Sequence, residues 1–213
     1  MTMVDLDFQH RYLPAERPGL PTLLLLHGTG GDENDLLPLG AALLPGAALL
    51  SPRGKVLEHG ASRYFRRLAE GVFDLDDLRL RTDELVTFVA SASATYGFDL
   101  GNIIAVGYSN GANTAAAVLL LHPSALAGAV LFHAQVPLEP EQRPALSDVP
   151  VFLSGGRADT MVPAAETERL ATQLQGFGAS VTLYWEPGGH ALGRGELDAA
   201  RSWLAGRVPQ PAK

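Results

Sequence analysis

The segment VGYSNGAN, residues 106–113, holds a serine in a G-x-S-x-G pattern. Ser109 follows a short apolar strand pattern and precedes a helical one, which is the strand–turn–helix context of a nucleophile elbow. Flanking glycines permit the sharp turn, and a helix N-terminus favours negative charge developing beside it. Serine is also a favoured helix N-cap, but a cap does not require glycine on both sides. We therefore expect Ser109 to be a catalytic nucleophile.

A serine hydroxyl needs a general base, and His190 is the histidine best placed to supply it. It lies in EPGGHALG, after the last predicted strand, where two glycines let the loop turn back over the sheet edge. His59 and His133 lie near the same predicted edge, but both precede every well-placed acid. Because nucleophile-elbow enzymes run serine, acid, histidine along the chain, this order favours His190.

The acid that should orient His190 is Asp159, in SGGRADTMVP directly after an apolar strand pattern. A carboxylate there would also stabilise the imidazolium form of the base. A solvated loop acid or turn former is the alternative reading of this residue. Asp148 is the second choice, but it precedes its strand and should lie at the opposite sheet edge.

Acyl transfer also requires hydrogen-bond donors for an oxyanion. The backbone N–H of Asn110, directly after the nucleophile, should supply one of them. The glycine-rich segment HGTGGDEND follows an early strand, and we expect the backbone N–H of Thr29 to supply the other. Such a loop could cradle a phosphate, but it has neither G-x-G-x-x-G nor a P-loop lysine, so nucleotide binding is not expected.

The elements that must position these residues alternate between strands and helices. An alternating pattern over 4–12 indicates a half-exposed antiparallel edge strand, and continuous apolar runs indicate buried strands. Those runs fall at 22–28, 47–54, 103–106, 129–132, 151–153 and 181–185. Helical patterns cover 33–44, with a kink or restart at Pro38, and 78–96, 110–121, 163–177 and 195–204. The pattern predicts an α/β fold, with a mainly parallel sheet flanked by helices and a site at the carboxyl ends of its strands.

Composition narrows the class of protein further. The chain has 213 residues, enough for one domain over 1–213, with a mobile tail expected from about 207 to 213. A net charge of −7 disfavours a nucleic-acid partner and an anionic membrane surface. The absence of cysteine excludes disulfides and a cysteine nucleophile. The start has no signal-peptide pattern and no apolar run is long enough to span a bilayer, so we expect a cytoplasmic protein.

The chain resembles the phospholipase/carboxylesterase family of α/β-hydrolases, which includes acyl-protein thioesterases and small bacterial carboxylesterases. The resemblance rests on LLLLHGTGGDENDLLPL, SPRG, GYSNGAN, GGRADTMVP and WEPGGH. The segments SRYFRRLAEGVFDLDDL and GYSNGAN are most similar to a bacterial subgroup that includes hydrolases associated with quinone stress. The resemblance implies an α/β-hydrolase fold with the triad Ser109, Asp159 and His190, an oxyanion hole at Thr29 and Asn110, no cofactor, and a possible homodimer.

Two positions depart from the thioesterase pattern. Asn110 stands where thioesterases usually have glutamine, and Thr29 stands where they usually have leucine. Both changes keep the backbone donor, but they weaken the case for a thioester substrate. We therefore expect a serine esterase for small carboxylic esters, with an acyl-thioesterase or lysophospholipase as the alternative.

The sequence indicates the residues of the substrate pocket less clearly than those of the triad. Residues 134–149 are too few for a cap domain, so the irregular loop 56–74 should cover the site. We expect the pocket to be walled by Tyr64, Phe65, Phe73 and His133, although the three aromatic residues of the loop could equally be ordinary packing beneath it. Three arginines of the loop could attract an anionic substrate, but a solvated basic face is the favoured interpretation for Arg63, Arg66 and Arg67.

Two further functions follow from other readings of the same residues. A metal-dependent dioxygenase could use His59, His133 and a nearby carboxylate such as Glu58, although their spacing matches no known ligand set. A binding protein without catalysis is disfavoured by the intact triad.

Overall fold

The computed structural model of the protein describes residues 6–69 and 71–207. Its strands are β1 (His10–Leu13), β2 (Thr22–Leu26), β3 (Leu49–Pro52), β4 (Val56–Glu58), β5 (Ala61–Arg63), β6 (Arg67–Ala69), β7 (Val72–Phe73), β8 (Ile103–Tyr108), β9 (Gly128–Phe132), β10 (Pro150–Gly156) and β11 (Ser180–Glu186). Its helices are α1 (Leu37–Leu43), α2 (Leu75–Tyr96), α3 (Asn110–Leu121), α4 (Ala164–Gly176) and α5 (Arg194–Ala205).

A seven-stranded sheet forms the centre of the molecule, in the order β1-β3-β2-β8-β9-β10-β11. Only β1 pairs in the antiparallel sense, at the edge against β3, and the other pairs of this sheet are parallel. Every residue of β2 is buried, as expected for an apolar strand covered on both faces. The predicted α/β fold is therefore confirmed.

Helices cover both faces of this sheet. The helices α2, α3 and α4 pack on one face, and α1 and α5 pack on the other. Residues 133–149, between β9 and β10, form no helix or strand. The connection therefore carries no helical cap, as the sequence predicted.

Helix α1 begins later than its sequence pattern predicts. The apolar spacing suggested a start near residue 33, but α1 begins at Leu37 with Pro38 in its first turn. Proline fits there because the first helical N–H groups have no partner within the helix. Before it, the Asp32 carboxylate accepts the backbone N–H of Asn34 and forms a separate turn.

The predicted irregular loop 56–74 contains two short hairpins, β4–β5 and β6–β7. His59 and Gly60 both have positive φ at the tip of the first one, as a two-residue hairpin turn requires. The first hairpin contributes to the site, because its strand β5 positions one of the loops that surround Ser109.

Parts of two terminal expectations lie outside the described residues. The predicted edge strand began at residue 4: residues 4 and 5 are not described, residues 6–9 are described and form no strand, and β1 begins at His10. The predicted tail began at about 207, and residues 208–213 are not described. Within the described ranges, no helix is both long enough and apolar enough to cross a bilayer.

Candidate active site

Ser109 lies in a strained turn between β8 and α3. Its φ of 52° and ψ of −114° are unusual for a residue with a side chain. Both neighbouring glycines are required by close backbone packing. A Cβ on Gly107 would lie 2.6 Å from the Cα of Ala112, and one on Gly111 would lie 2.0 Å from the carbonyl oxygen of Leu26. The sequence therefore holds Ser109 in an elbow that projects its hydroxyl from the sheet edge.

His190 lies between Ser109 and Asp159, within hydrogen-bond distance of both. Its Nε2 is 2.9 Å from the Ser109 Oγ, and its Nδ1 is 2.7 Å from the Asp159 Oδ2. The Tyr108 hydroxyl donates to the backbone carbonyl of His190 at 2.9 Å and fixes the loop after β11. The structure thus brings together the three side chains predicted to form the triad.

Asp159 is buried, and four donors surround its carboxylate. Oδ1 accepts the backbone N–H groups of Met161 and Val162, while Oδ2 faces His190 and His133. Burial raises the pKa of Asp159, but these hydrogen bonds outweigh it and hold the pKa below its usual range. The carboxylate is therefore ionised at neutral pH. The second choice, Asp148, precedes β10 and so lies at the other sheet edge.

The residues predicted for the oxyanion hole line a pocket together with Ser109 and His190. Asn110 is the first residue of α3, where a backbone N–H has no partner within the helix. Thr29 lies in the loop after β2, and the next residue, Gly30, donates its N–H to the Ser62 carbonyl of β5 at 2.9 Å. Hairpin β4–β5 thus holds the glycine-rich loop against the site.

The side chain of Asn110 has a structural role that the sequence did not reveal. Its Oδ1 accepts the backbone N–H of Tyr64 at 2.8 Å, and the residue is buried. The Tyr64 hydroxyl donates to the Pro52 carbonyl at 2.7 Å. These contacts tie the start of α3 to the segment between the two hairpins and to β3.

The structure contradicts three of the four residues that were expected to wall the pocket. Phe73 lines it, but Tyr64 and Phe65 do not, because both belong to the buried core beneath the hairpins. His133 is also not a wall: it is fully buried and contacts Asp159 and Glu196. The pocket around Ser109 has a volume of about 50 Å³.

A wider groove continues from this pocket, with a volume of about 690 Å³. Phe73, Gln135 and Met161 line both. Val72 and Leu75 add exposed apolar surface along the groove. Glu139, Glu166 and Arg169 also line the groove, so the surface beside Ser109 is both apolar and polar.

Arg63 is not part of a solvated basic face. It is only 4% exposed, lines the pocket, and donates to the Thr29 Oγ1 at 2.7 Å. Glu58 pairs with Arg63 at 3.2 Å and with Arg67 at 2.8 Å. Arg66 is exposed, as predicted, and pairs with Asp74. Two guanidinium groups that share one carboxylate therefore border the site.

Among the described residues, His133, Asp159 and His190 form the one group of histidine and carboxylate side chains able to converge on a metal ion, with ligand atoms within 4.8 Å of one another. Each of these atoms is engaged in a hydrogen bond of the network above. Of the residues proposed for a dioxygenase, the group contains His133 but neither His59 nor Glu58, because Glu58 pairs with arginines and His59 is exposed in a hairpin turn. That ligand set is not assembled.

Comparison with known proteins decides the family. The model of the dienelactone hydrolase family matches residues 63–198, which include all three proposed triad residues. The chain belongs to the dienelactone hydrolase family. A Bacillus subtilis (strain 168) protein named as a hydrolase, MhqD, is 49% identical over 181 residues, covering 85% of this chain and 90% of that protein. The chain is therefore a hydrolase, and membership of the family agrees with the resemblance to phospholipase/carboxylesterase proteins.

Solved structures of two similar proteins share this fold. A Bacillus cereus carboxylesterase superposes with a TM-score of 0.93 at 46% identity, covering 95% of each chain. A structure of YahD with malic acid superposes with a TM-score of 0.88 at 35% identity, covering 93% of this chain and 99% of that one. The sheet and helices described above are therefore those of an α/β-hydrolase.

Proposed function

We propose that the protein is a serine carboxylesterase that cleaves small carboxylic esters through an acyl-enzyme on Ser109. The observation that carries this proposal is the continuous hydrogen-bonded chain from Ser109 through His190 to an ionised Asp159. A general base within 2.9 Å of a serine hydroxyl, oriented by a buried carboxylate, is the arrangement that makes serine nucleophilic.

The geometry supports a two-step reaction. His190 takes the Ser109 proton as Oγ attacks the acyl carbonyl, and the N–H groups of Thr29 and Asn110 stabilise the resulting oxyanion. The tetrahedral intermediate collapses as His190 protonates the leaving alkoxide, which departs as an alcohol. His190 then deprotonates a water molecule that attacks the acyl-enzyme, and Ser109 regains its proton as the acid leaves. Atoms and charges balance without a cofactor.

Pocket size favours small acyl groups. The space beside Ser109 is about 50 Å³, while the adjoining groove is about 690 Å³ and open. The acyl part of an ester would occupy the small pocket, and the alcohol part would lie along the groove. A Bacillus cereus relative is described as a carboxylesterase, which agrees with this choice.

An acyl-thioesterase or lysophospholipase would use the same triad, so the choice rests on the pocket. We expect kcat/KM to fall as the acyl chain of a p-nitrophenyl ester grows from two to twelve carbons. We expect short esters to exceed the matching thioesters. A preference for long acyl chains or for thioesters would contradict the small-ester proposal.

The charge of the substrate is a second property that the ester panel should vary. Arg63 and Arg67 border the site, although Glu58 neutralises part of their charge. The related YahD was crystallised with malic acid, a dicarboxylate. Esters that carry a free carboxylate belong in the same panel, and a higher kcat/KM for them than for their methyl esters would identify an anionic substrate.

The direct test of the function is the activity of Ser109→Ala. We expect kcat to fall by about four orders of magnitude or more, as in other serine hydrolases that lose the nucleophile. Ser202→Ala is the matched control, because Ser202 is exposed on α5 and donates only to the Asp198 carbonyl. Ester hydrolysis by Ser109→Ala at the rate of the Ser202→Ala control would reject the proposal.

A further inference from the structure

A second histidine lies directly behind the proposed triad. His133 follows β9, has a φ of 55°, and is fully buried. Its Nδ1 is 3.0 Å from the Asp159 Oδ2, the same oxygen that faces His190. Its Nε2 is 3.0 Å from the Oε1 of Glu196 in the first turn of α5.

Glu196 is also fully buried, and donors satisfy both of its carboxylate oxygens. Oε1 accepts the backbone N–H of Gly193 at 2.7 Å in addition to facing His133. Oε2 accepts the hydroxyl of Ser154 from β10. Acidic side chains are mostly exposed in folded proteins, so the sequence did not indicate that this one lies beneath the site.

The hydrogen-bond pattern fixes the protonation state of His133. An ionised carboxylate only accepts hydrogen bonds, and each ring nitrogen of His133 faces one. Both nitrogens must therefore donate, which requires an imidazolium. Burial by itself lowers the pKa of His133, but hydrogen bonds to Glu196 and Asp159 and their charges outweigh it and raise the pKa above its ordinary value.

We infer that His133 is a positioning residue for the proposed triad: as a buried imidazolium between two carboxylates, it fixes Asp159 against His190 and withdraws part of its negative charge. The kinetic part of this inference rests on the proposed esterase function. The charge state of His133 does not.

The consequence concerns the basicity of the triad histidine. Asp159 stabilises the positive charge that His190 acquires during catalysis, and an imidazolium on the other side of Asp159 opposes that effect. The rings of His133 and His190 are 5.2 Å apart between centroids, close enough for a strong coupling in a buried site. The positive charge on His133 therefore offsets part of the stabilisation that Asp159 gives to a protonated His190.

The remaining polar groups around the two histidines do not replace this charge. Burial and the nearby carboxylates raise the pKa of Tyr108, so its phenol, which packs beside both rings, stays neutral. Charged groups face the pair from the loop after β10, from α5 and, across the pocket, from β5 and β6: Asp159, Glu196, Arg63 and Arg67.

The charge state can be measured on the unmodified protein by NMR with ¹⁵N-labelled histidine. We expect both ring nitrogens of His133 to carry a proton at pH 7.5, where an ordinary histidine is mostly neutral. His133→Asn assigns the signals. A His133 ring with one unprotonated nitrogen at this pH would overturn the inference, whatever the protein's activity.

The kinetic role is tested by the pH dependence of kcat/KM in His133→Asn. Asparagine can still donate to Asp159 from the position of Nδ1 but carries no charge. We expect the acidic limb of the profile to move up by about one pH unit, with KM changed less than about twofold, because His133 does not reach the pocket. A purely structural role would lower the melting temperature without moving the limb, and that result would overturn the inference.

Two further variants make the result unambiguous. His122→Asn removes a histidine that pairs with the Asp83 carboxylate, 2.7 Å away and outside the site, and should leave the pH profile unchanged.

If His133→Asn does not fold, His133→Asn/Glu196→Gln removes the two opposite charges together. Its limb should move in the same direction by a smaller amount, because His133 lies between His190 and Glu196, and an unmoved limb would overturn the inference. Failure of Ser109 to carry the activity would reject the esterase proposal while leaving the NMR result intact.

Discussion

At the scale of single residues, Asn110 combines a proposed catalytic role with a structural one. Its backbone begins α3, where an N–H is free to face an oxyanion, and its side chain accepts the N–H of Tyr64. The Asn110 side chain therefore holds the segment between the two hairpins close to the nucleophile.

Thr29 is the second residue with a double role. Its backbone is proposed to stabilise the oxyanion, and its hydroxyl accepts a hydrogen bond from the buried Arg63. We expect Thr29→Val to keep the backbone donor but lower kcat/KM about tenfold, because a buried guanidinium loses a partner worth about 1–3 kcal/mol and the loop loosens.

Thr172→Val is the matched control for that variant, since Thr172 is exposed on α4 and donates only to the Glu168 carbonyl. Steady-state kinetics on a short ester with both variants is the measurement. Equal kcat/KM for Thr29→Val and the unmodified protein would show that the contact with Arg63 does not support catalysis.

At the scale of elements, the elbow depends on how closely α3 approaches β2. A Cβ on Gly111 would lie 2.0 Å from the carbonyl oxygen of Leu26, and backbone atoms cannot yield as a flexible side chain can. We expect Gly111→Ala to lower the melting temperature by more than 8 °C, corresponding to a loss of at least about 2 kcal/mol, and to abolish activity.

Gly176→Ala provides the comparison, because Gly176 ends α4 with open space around it. This substitution should be neutral or slightly stabilising, since alanine has the higher helix propensity. Thermal unfolding followed by circular dichroism distinguishes the two. A Gly111→Ala variant as stable as Gly176→Ala would show that the close approach is not required.

Elements of the central sheet were predictable because local patterns determine them. Continuous apolar runs located β2, β8 and β9, and the glycines around Ser109 indicated the turn into α3. The hairpins within 56–74 were missed, because their strands are two or three residues long and have no periodicity to detect. The late start of α1 was missed for a similar reason, since a side-chain turn at Asp32 replaces the first predicted helical turn.

At the scale of the whole molecule, the site brings together residues that the chain keeps far apart. The sequence order and the parallel sheet were enough to place Ser109, Asp159 and His190 at one edge. They were not enough to place Glu196 or to orient His133, because burial of a charged side chain depends on packing between α5 and the ends of β9 and β10. Contacts of this kind can be identified only from the three-dimensional structure.

The buried His133–Glu196 pair should also make folding stability depend on pH. The raised pKa of His133 gives a stabilisation that is complete below its ordinary value of 6.5 and is lost as pH rises through the folded-state pKa. The lowered pKa values of Asp159 and Glu196 give stabilisation that is present above their ordinary values and lost as pH falls through the folded-state values.

We therefore expect the free energy of unfolding to fall more steeply above pH 6.5 in the unmodified protein than in His133→Asn/Glu196→Gln, with a difference in slope of up to about 1.4 kcal/mol per pH unit. Urea unfolding at several pH values between 5 and 9 measures it. Using the difference between the two proteins cancels the contribution of unrelated groups, such as the buried His27. Parallel slopes would contradict a charged His133.

The central claim is that Ser109 is an activated nucleophile, and labelling with a fluorophosphonate tests it most directly. At neutral pH we expect one phosphonyl group per chain, found on the peptide that contains Ser109 and absent in Ser109→Ala. The Ser202→Ala control should label fully. An unlabelled protein, or label on another residue, would contradict the account.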